Sequence, residues 1–177
     1  MSFTGGVMAM EQPGLEDFEA FVAAHERSLR RTAYLMCGDW ARAEDATQDG
    51  LLKLYRSWPR LDRGPALRSY AHRAVTTAVL DQARRPWRRE RAGEVPDAPP
   101  SSGADPDRRL VVLAALADLP ARRRACLVLR YFADLTVEET ADVLGVSTGT
   151  VKSTTARALD QLRGTLGAAG LTLLLED

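Results

Sequence analysis

Residues 136–163 read TVEETADVLGVSTGTVKSTTARALDQLR, and their types and spacing suit contact with a DNA groove. Thr136 followed by Glu139 is a capping box, which sets a helix start. Gly145 then stands where the chain needs a left-handed residue, and Ser147 can cap the next helix. Ala141 is small where a second helix must cross closely, and Val146, Val151 and Leu159 can bury the hinge. This is the steric plan of a helix-turn-helix, whose second helix enters the major groove with its N-terminal half toward the bases. Its polar candidates are Thr148, Thr150, Lys152, Ser153, Thr155 and Arg157, with Lys152 and Arg157 read as phosphate contacts. A helical hairpin inside a core would share much of this pattern. The run Arg122–Arg124 reads either as a backbone contact or as a solvated turn.

Two further segments carry polar chemistry. Residues 60–92 hold nine bases and three acids, among them Arg63, Arg68, Arg73, Arg84 and Arg85. Tyr70, His72 and Trp87 lie among these arginines, and aromatics interleaved with Arg suit stacking on unpaired bases. Tyr70 reads equally as a core residue. Residues 40–58 place Glu44, Asp45, Gln48, Asp49 and Lys53 beside Leu52, Tyr55 and Trp58. That strip fits a partner-binding helix, and it fits an ordinary amphipathic helix as well.

Catalytic and metal chemistry finds no such support. No Ser/His/Asp arrangement is visible, and His25 and His72 lie in helical patterns without partners, so neither an enzyme nor a cofactor is expected. Cys37 and Cys126 match no metal-ligand spacing and read as two reduced, buried thiols. No apolar run reaches the roughly 18 residues of a membrane span. Met1–Pro13 lacks a basic region followed by an apolar stretch, so a cytoplasmic location is expected.

The elements that position these residues are helical. The chain has 177 residues, 45% hydrophobic and 27% charged, which excludes a wholly disordered polymer. Helical periodicity runs over 15–36, 40–58, 66–85, 106–117, 121–132, 136–144 and 148–166, with Gly38, Pro59 and Pro86 as stops. Residues 93–107 (GEVPDAPPSSGADPD) hold four prolines and almost no bulky apolar residue, the composition of an extended joint. The expected architecture is therefore all-α, with two small helical domains at 15–92 and 108–167 joined by 93–107. Leu171–Leu175 forms an apolar tail that either docks or frays.

The formal net charge is zero, from 24 basic and 24 acidic residues, but the charge is segregated. Residues 16–49 carry −4, residues 60–92 carry +6 and the joint carries −4. Sign asymmetry of this kind is a better guide to partners than the total.

Three stretches, in order, resemble bacterial extracytoplasmic-function sigma factors. They are AEDATQDGLLKLYRSW (Ala43–Trp58), LRSYAHRAVTTAVLDQARR (Leu67–Arg85) and the long segment Leu116–Arg163 that contains the helix-turn-helix. The resemblance implies a non-catalytic specificity subunit with a sigma-2-like bundle and a sigma-4-like helix-turn-helix. Its partners would be core RNA polymerase and promoter DNA. Many members of the family are held inactive by an anti-sigma protein, so such a protein is a further partner the resemblance allows. Carried over by position, Asp45, Gln48, Asp49, Leu52 and Tyr55 would face the polymerase. Arg63, Arg68, Arg73, Thr77, Arg84 and Arg85 would face the melted −10 element, and the loop Leu61–Ala66 would hold an extruded base. Members often carry Asn where this chain has Thr77. Thr148, Thr150, Lys152, Ser153, Thr155 and Arg157 would read the −35 element. The competing class is a stand-alone DNA-binding regulator, which would use the same helix-turn-helix and need no acidic partner-binding helix.

Overall fold

The computed structural model describes residues 14–84 and 106–175, and all its regular elements there are helices. They are α1 (Leu15–Cys37), α2 (Trp40–Ser57), a 3₁₀ turn (Trp58–Arg60), α3 (Ala66–Arg84), α4 (Pro106–Ala117), α5 (Ala121–Tyr131), α6 (Val137–Leu144) and α7 (Thr148–Leu175). Arg85, Trp87 and residues 93–105 of the expected joint lie outside the described residues, and Pro106 and Asp107 begin α4.

Local chemistry explains the boundaries. Gly38 ends α1 in the left-handed conformation (φ 72°), and its amide donates to the Tyr34 carbonyl at 2.7 Å. Asp39 caps α2 by accepting from the Arg42 amide at 3.0 Å. Thr136 and Glu139 form both halves of the capping box on α6. The periodic pattern of α7 was read to end at Leu166, and the helical geometry does break at Gly167 (φ 70°, ψ 173°). The chain then resumes as helix, and Leu171 is buried against the core.

The first three helices form one bundle. Leu29, Ala33, Ala43, Ala46, Leu54, Ala71, Val75 and Val79 fill its interior. Phe18 and Phe21 close one end against Trp58, with ring centroids 5.1 and 5.6 Å away. The closest approach is at Gly50 of α2. A Cβ there would lie 2.6 Å from Val75 Cγ2 and 2.9 Å from the Val75 backbone nitrogen. Gly50→Ala is therefore expected to destabilise the fold by about 1–3 kcal/mol, the usual cost of overpacking. A urea titration checks this, because the midpoint should fall with the slope unchanged.

Helices α4 to α7 form a second bundle around Leu116, Leu119, Leu127, Leu129, Leu135 and Leu162. The two bundles are not separate bodies here, since one apolar cluster runs through both. Helix α3 lies along α6, and α1 lies against α4 and α5. Two arginines tie the seam. Arg68 donates to the Ala133 carbonyl, and Arg124 Nη1 donates to the Met36 carbonyl at 2.9 Å. Arg124 thereby puts a cation on a carbonyl of the last turn of α1, and Arg68 on one in the bend after α5.

Candidate nucleic-acid and partner-binding faces

The helix-turn-helix is built by α6, the Gly145 turn and the first half of α7. Gly145 is left-handed (φ 65°), and the Val146 amide returns to the Ala141 carbonyl at 3.0 Å. Ser147 then caps α7 by accepting from the Thr150 amide at 3.1 Å. Cys126, Ala141 and Val151 pack together beneath the turn, with Val137, Leu144 and Val146 around them. The small residue at 141 and the valine at 151 thus let the two helices cross closely.

Of the six residues picked out on α7, five point outward. Thr148, Thr150, Lys152, Ser153 and Arg157 are exposed. Lys152 and Arg157 make no ion pair among the described residues. The Thr150 hydroxyl lies 2.9 Å from Ser147 Oγ, and Ser153 Oγ donates to the Thr150 carbonyl at 3.2 Å, so both side chains are already oriented. Thr155 corrects the reading. It is 9% exposed, and its Oγ1 lies 3.3 Å from Cys126 Sγ. Helical spacing puts 151, 155, 158 and 162 on one stripe, and all four are buried. Thr155 therefore belongs to the core, and the valine four residues earlier was the signal for it.

The basic segment divides in the same way. Tyr70, Arg73, Thr77 and Arg84 share the exposed face of α3. The Tyr70 hydroxyl donates to Ser57 Oγ at 3.3 Å, and Thr77 Oγ1 donates to the Arg73 carbonyl at 2.8 Å. Arg84 lies 3.8 Å from Asp81. Arg63 is pinned near α1 by Asp17 at 3.3 Å and lies over the Trp58 ring, 5.4 Å from its centroid. Arg68 is exposed but engaged across the seam. His72, read as a stacking candidate, is 1% exposed and stacks on nothing from solvent. Burial, with help from the nearby Arg68 and His25 charges, pushes its pKa down to about 4, while Glu139 of α6 pulls the other way.

The arginine run opening α5 is structural in part. Arg124 turns inward to the carbonyls of Met36, Ala117 and Leu119, and Arg123 reaches Gln161 Oε1 at 2.8 Å. Arg122 alone remains as a solvated cation of the three.

The third face lies on α2. Asp45, Gln48, Asp49, Leu52 and Tyr55 are all exposed, and their spacing puts them on one side of the helix. Gln48 Nε2 donates to Glu44 Oε1 at 3.3 Å, and Glu44 also receives Arg30 at 3.1 Å. Asp45 and Asp49 make no ion pair among the described residues. Leu52 is 48% exposed within this acidic surround. A large aliphatic side chain rimmed by unpaired carboxylates suits a partner with an apolar pocket and basic edges.

Among the described residues no cluster of three His, Cys, Asp or Glu could hold a metal ion. Cys37 and Cys126 are free thiols, both raised above their ordinary pKa by burial. Among the described residues no helix is long and apolar enough to cross a membrane.

Comparison with known proteins agrees with this arrangement. Residues 21–89 match the family model described as Sigma-70 region 2, and residues 115–164 match Sigma-70, region 4. The chain is 32% identical to the RNA polymerase sigma-E factor of Streptomyces coelicolor over 88% of its own length and 89% of that protein. It is 34% identical to the ECF RNA polymerase sigma factor SigM of Mycobacterium tuberculosis, over 85% of this chain and 77% of that one. Its fold is similar to that of the sigma factor RpoE from Bartonella quintana, solved with the anti-sigma factor NepR. The TM-score is 0.73 and the identity 23%, over 87% of this chain and 99% of that one. It is also similar to CnrH, solved with the cytosolic domain of CnrY, at a TM-score of 0.64 and 23% identity over 86% and 89% of the two chains.

Proposed function

This chain belongs to the RNA polymerase sigma factors of the sigma-70 family, in the extracytoplasmic-function group, and directs promoter-specific transcription initiation; from its three exposed faces we propose how it divides that work. The strip Asp45, Gln48, Asp49, Leu52 and Tyr55 docks on core polymerase. The outer face of α3, with Arg73, Thr77 and Arg84, follows the melted −10 strand, and Arg85 extends it in sequence. Thr148, Thr150, Lys152, Ser153 and Arg157 address the −35 element. The protein performs no catalysis of its own and acts in the cytoplasm. The observation that carries this reading is the acidic–apolar strip on α2, because a stand-alone regulator would have no use for it.

The packed arrangement cannot engage both promoter elements at once. By their position numbers the elements lie about 25 base pairs apart, roughly 85 Å at 3.4 Å per step. A compact chain of this length has a radius of gyration of about 16 Å. The helix-turn-helix must therefore leave α3, and residues 85–105 can span up to roughly 70 Å when extended. Arg68 becomes available to DNA only in that opened state, because Ala133 holds it in the packed one. An anti-sigma protein would act by favouring an arrangement that cannot open.

Purified protein mixed with core polymerase tests the proposal. It should co-purify with core and start transcripts from a subset of genomic promoters. Absence of both would sink it. On the −35 side, Lys152→Ala should lower affinity for the cognate duplex and reduce the salt slope by about one unit. Thr155→Val should leave DNA affinity unchanged, since that side chain faces Cys126.

A further inference from the structure

A cavity of about 200 Å³ opens on the seam between the two bundles. The end of α1 supplies Met36 and Cys37, the first turn of α2 supplies Arg42, and the end of α3 supplies Val79 and Gln82. The start of α5 closes it with Ala121 and Arg124. No acidic residue lines it.

Its polar groups are only partly paired. Gln82 is 6% exposed, and neither its Nε2 nor its Oε1 has a hydrogen-bond partner. Buried amides of this kind are almost always paired. Arg42 and Arg124 each present a buried Nε without a partner. The terminal nitrogens of Arg124 are held by the Met36, Ala117 and Leu119 carbonyls at 2.8–3.1 Å, so its charge is fixed in place, and the Asp118 carboxylate acts on it through space without an ion pair among the described residues. Helix α5, 11 residues long, borders the same space with Ala121, its first residue. Its N-cap is Pro120, which makes no side-chain capping bond. Two guanidiniums, a helix N-terminus and a two-way hydrogen-bonding amide around a small void are the complement of an anion. The amide is selective among anions. Its N–H donates to an oxyanion oxygen, while its carbonyl needs an O–H, which hydrogen phosphate carries and sulfate lacks at neutral pH.

We propose that this cavity binds a small phosphate-type oxyanion, held by Arg42, Gln82 and Arg124, and that the bound anion ties the two bundles in their packed arrangement. The ligand is free inorganic phosphate, because the dianion of a phosphate monoester, like sulfate, carries no phosphate O–H for the Gln82 carbonyl at neutral pH. It touches elements of both bundles, so it stabilises the packed state over the opened one by its binding free energy. That it thereby restrains promoter engagement follows from the reading given under Proposed function, whereas the binding itself does not depend on it.

The test uses the full chain and inorganic phosphate, with glycerol 3-phosphate, sulfate and chloride at matched ionic strength. Phosphate should raise the melting temperature saturably, then with the logarithm of concentration above the Kd. Glycerol 3-phosphate, whose dianion lacks a phosphate O–H, should shift it less than phosphate, and an equal shift would overturn the amide's role in selection. Sulfate should act more weakly and chloride not at all. Gln82→Leu, which exchanges an unpaired amide for an apolar group of similar size, should melt higher without anion and lose the saturable shift. Arg42→Gln, whose backbone cap to Asp39 is kept, should weaken phosphate binding by at least tenfold. Phosphate should also slow maleimide modification of Cys37, which lines the cavity. An equal shift in chloride, or in Gln82→Leu, overturns the site. If phosphate binds as described but the chain never directs initiation, the transcriptional reading falls and the site stands. If initiation proceeds and phosphate does not bind, the site falls alone.

Discussion

Leu52→Asp is expected to weaken binding to core RNA polymerase by at least about 30-fold while the protein stays folded. The side chain is 48% exposed in the free protein and stands one turn beyond the unpaired carboxylate of Asp49, with Asp45 a turn further along the outer face of α2. An exposed position of this kind costs within about 0.5 kcal/mol of stability when substituted. In a complex the same side chain would be the apolar anchor of the strip. Truncating such an anchor costs about 2 kcal/mol or more, and burying a new unpaired carboxylate adds to that. A 2 kcal/mol loss is about 30-fold in Kd. A titration of fluorescently labelled protein with core polymerase measures it. Binding of the variant to an isolated −35 duplex should be unchanged, which separates lost docking from misfolding. An unaltered affinity for core would remove Leu52, and with it the α2 strip, from the interface.

Acid should destabilise the packed protein through His72, by about 2–3 kcal/mol between pH 7 and pH 4.5. The imidazole is 1% exposed, and burial holds its pKa at about 4, against 6.5 for a free histidine. The folded-state value is the lower one. Below pH 6.5 the unfolded chain therefore binds a proton that the folded chain refuses, and stability falls as pH drops toward 4. Above pH 6.5 the group is neutral in both states and contributes no slope. The groups facing it are Arg68 and His25, which oppose its protonation, and Glu139 of α6, which favours it. Since other carboxylates titrate near the lower end, the informative quantity is the difference between wild type and His72→Leu. Urea unfolding at a series of pH values should show a flatter profile for the variant between pH 4.5 and 6.5. Parallel profiles would show that His72 is solvated and charged at low pH without penalty.

The helices were legible in the sequence because their signals are local. Gly38, the Thr136–Glu139 capping box, Gly145 and Ser147 each act within four residues of where they stand, and each forms the cap or turn expected of it. The acidic strip on α2 and the outer face of α3 were legible for a related reason. Helical periodicity assigns faces, and the face where charged and polar residues gather is left to solvent.

What periodicity could not supply is which polar residue a neighbouring element would claim. Thr155, His72 and Gln82 are polar side chains on buried stripes, and only the helices packed above them show that they face the interior. Gly50 looks like a cost to α2 until Val75 is seen against it. Arg68, Arg124 and Arg63 carry the same charge as Arg73 and Arg157. The first two are spent on carbonyls and the third on Asp17 and Trp58, and the contacts to Ala133, Met36 and Asp17 cross 46 to 88 residues of chain. The sequence by itself therefore determined the seven helices, the helix-turn-helix and the segregated charge, because each follows from interactions within a turn or two of helix. Only the tertiary structure decided which cations remain free for DNA, that the two bundles close on one another, and that a cavity lined by Arg42, Gln82 and Arg124 lies between them. Those depend on side chains brought together across the chain, where burial sets whether a polar group must find a partner.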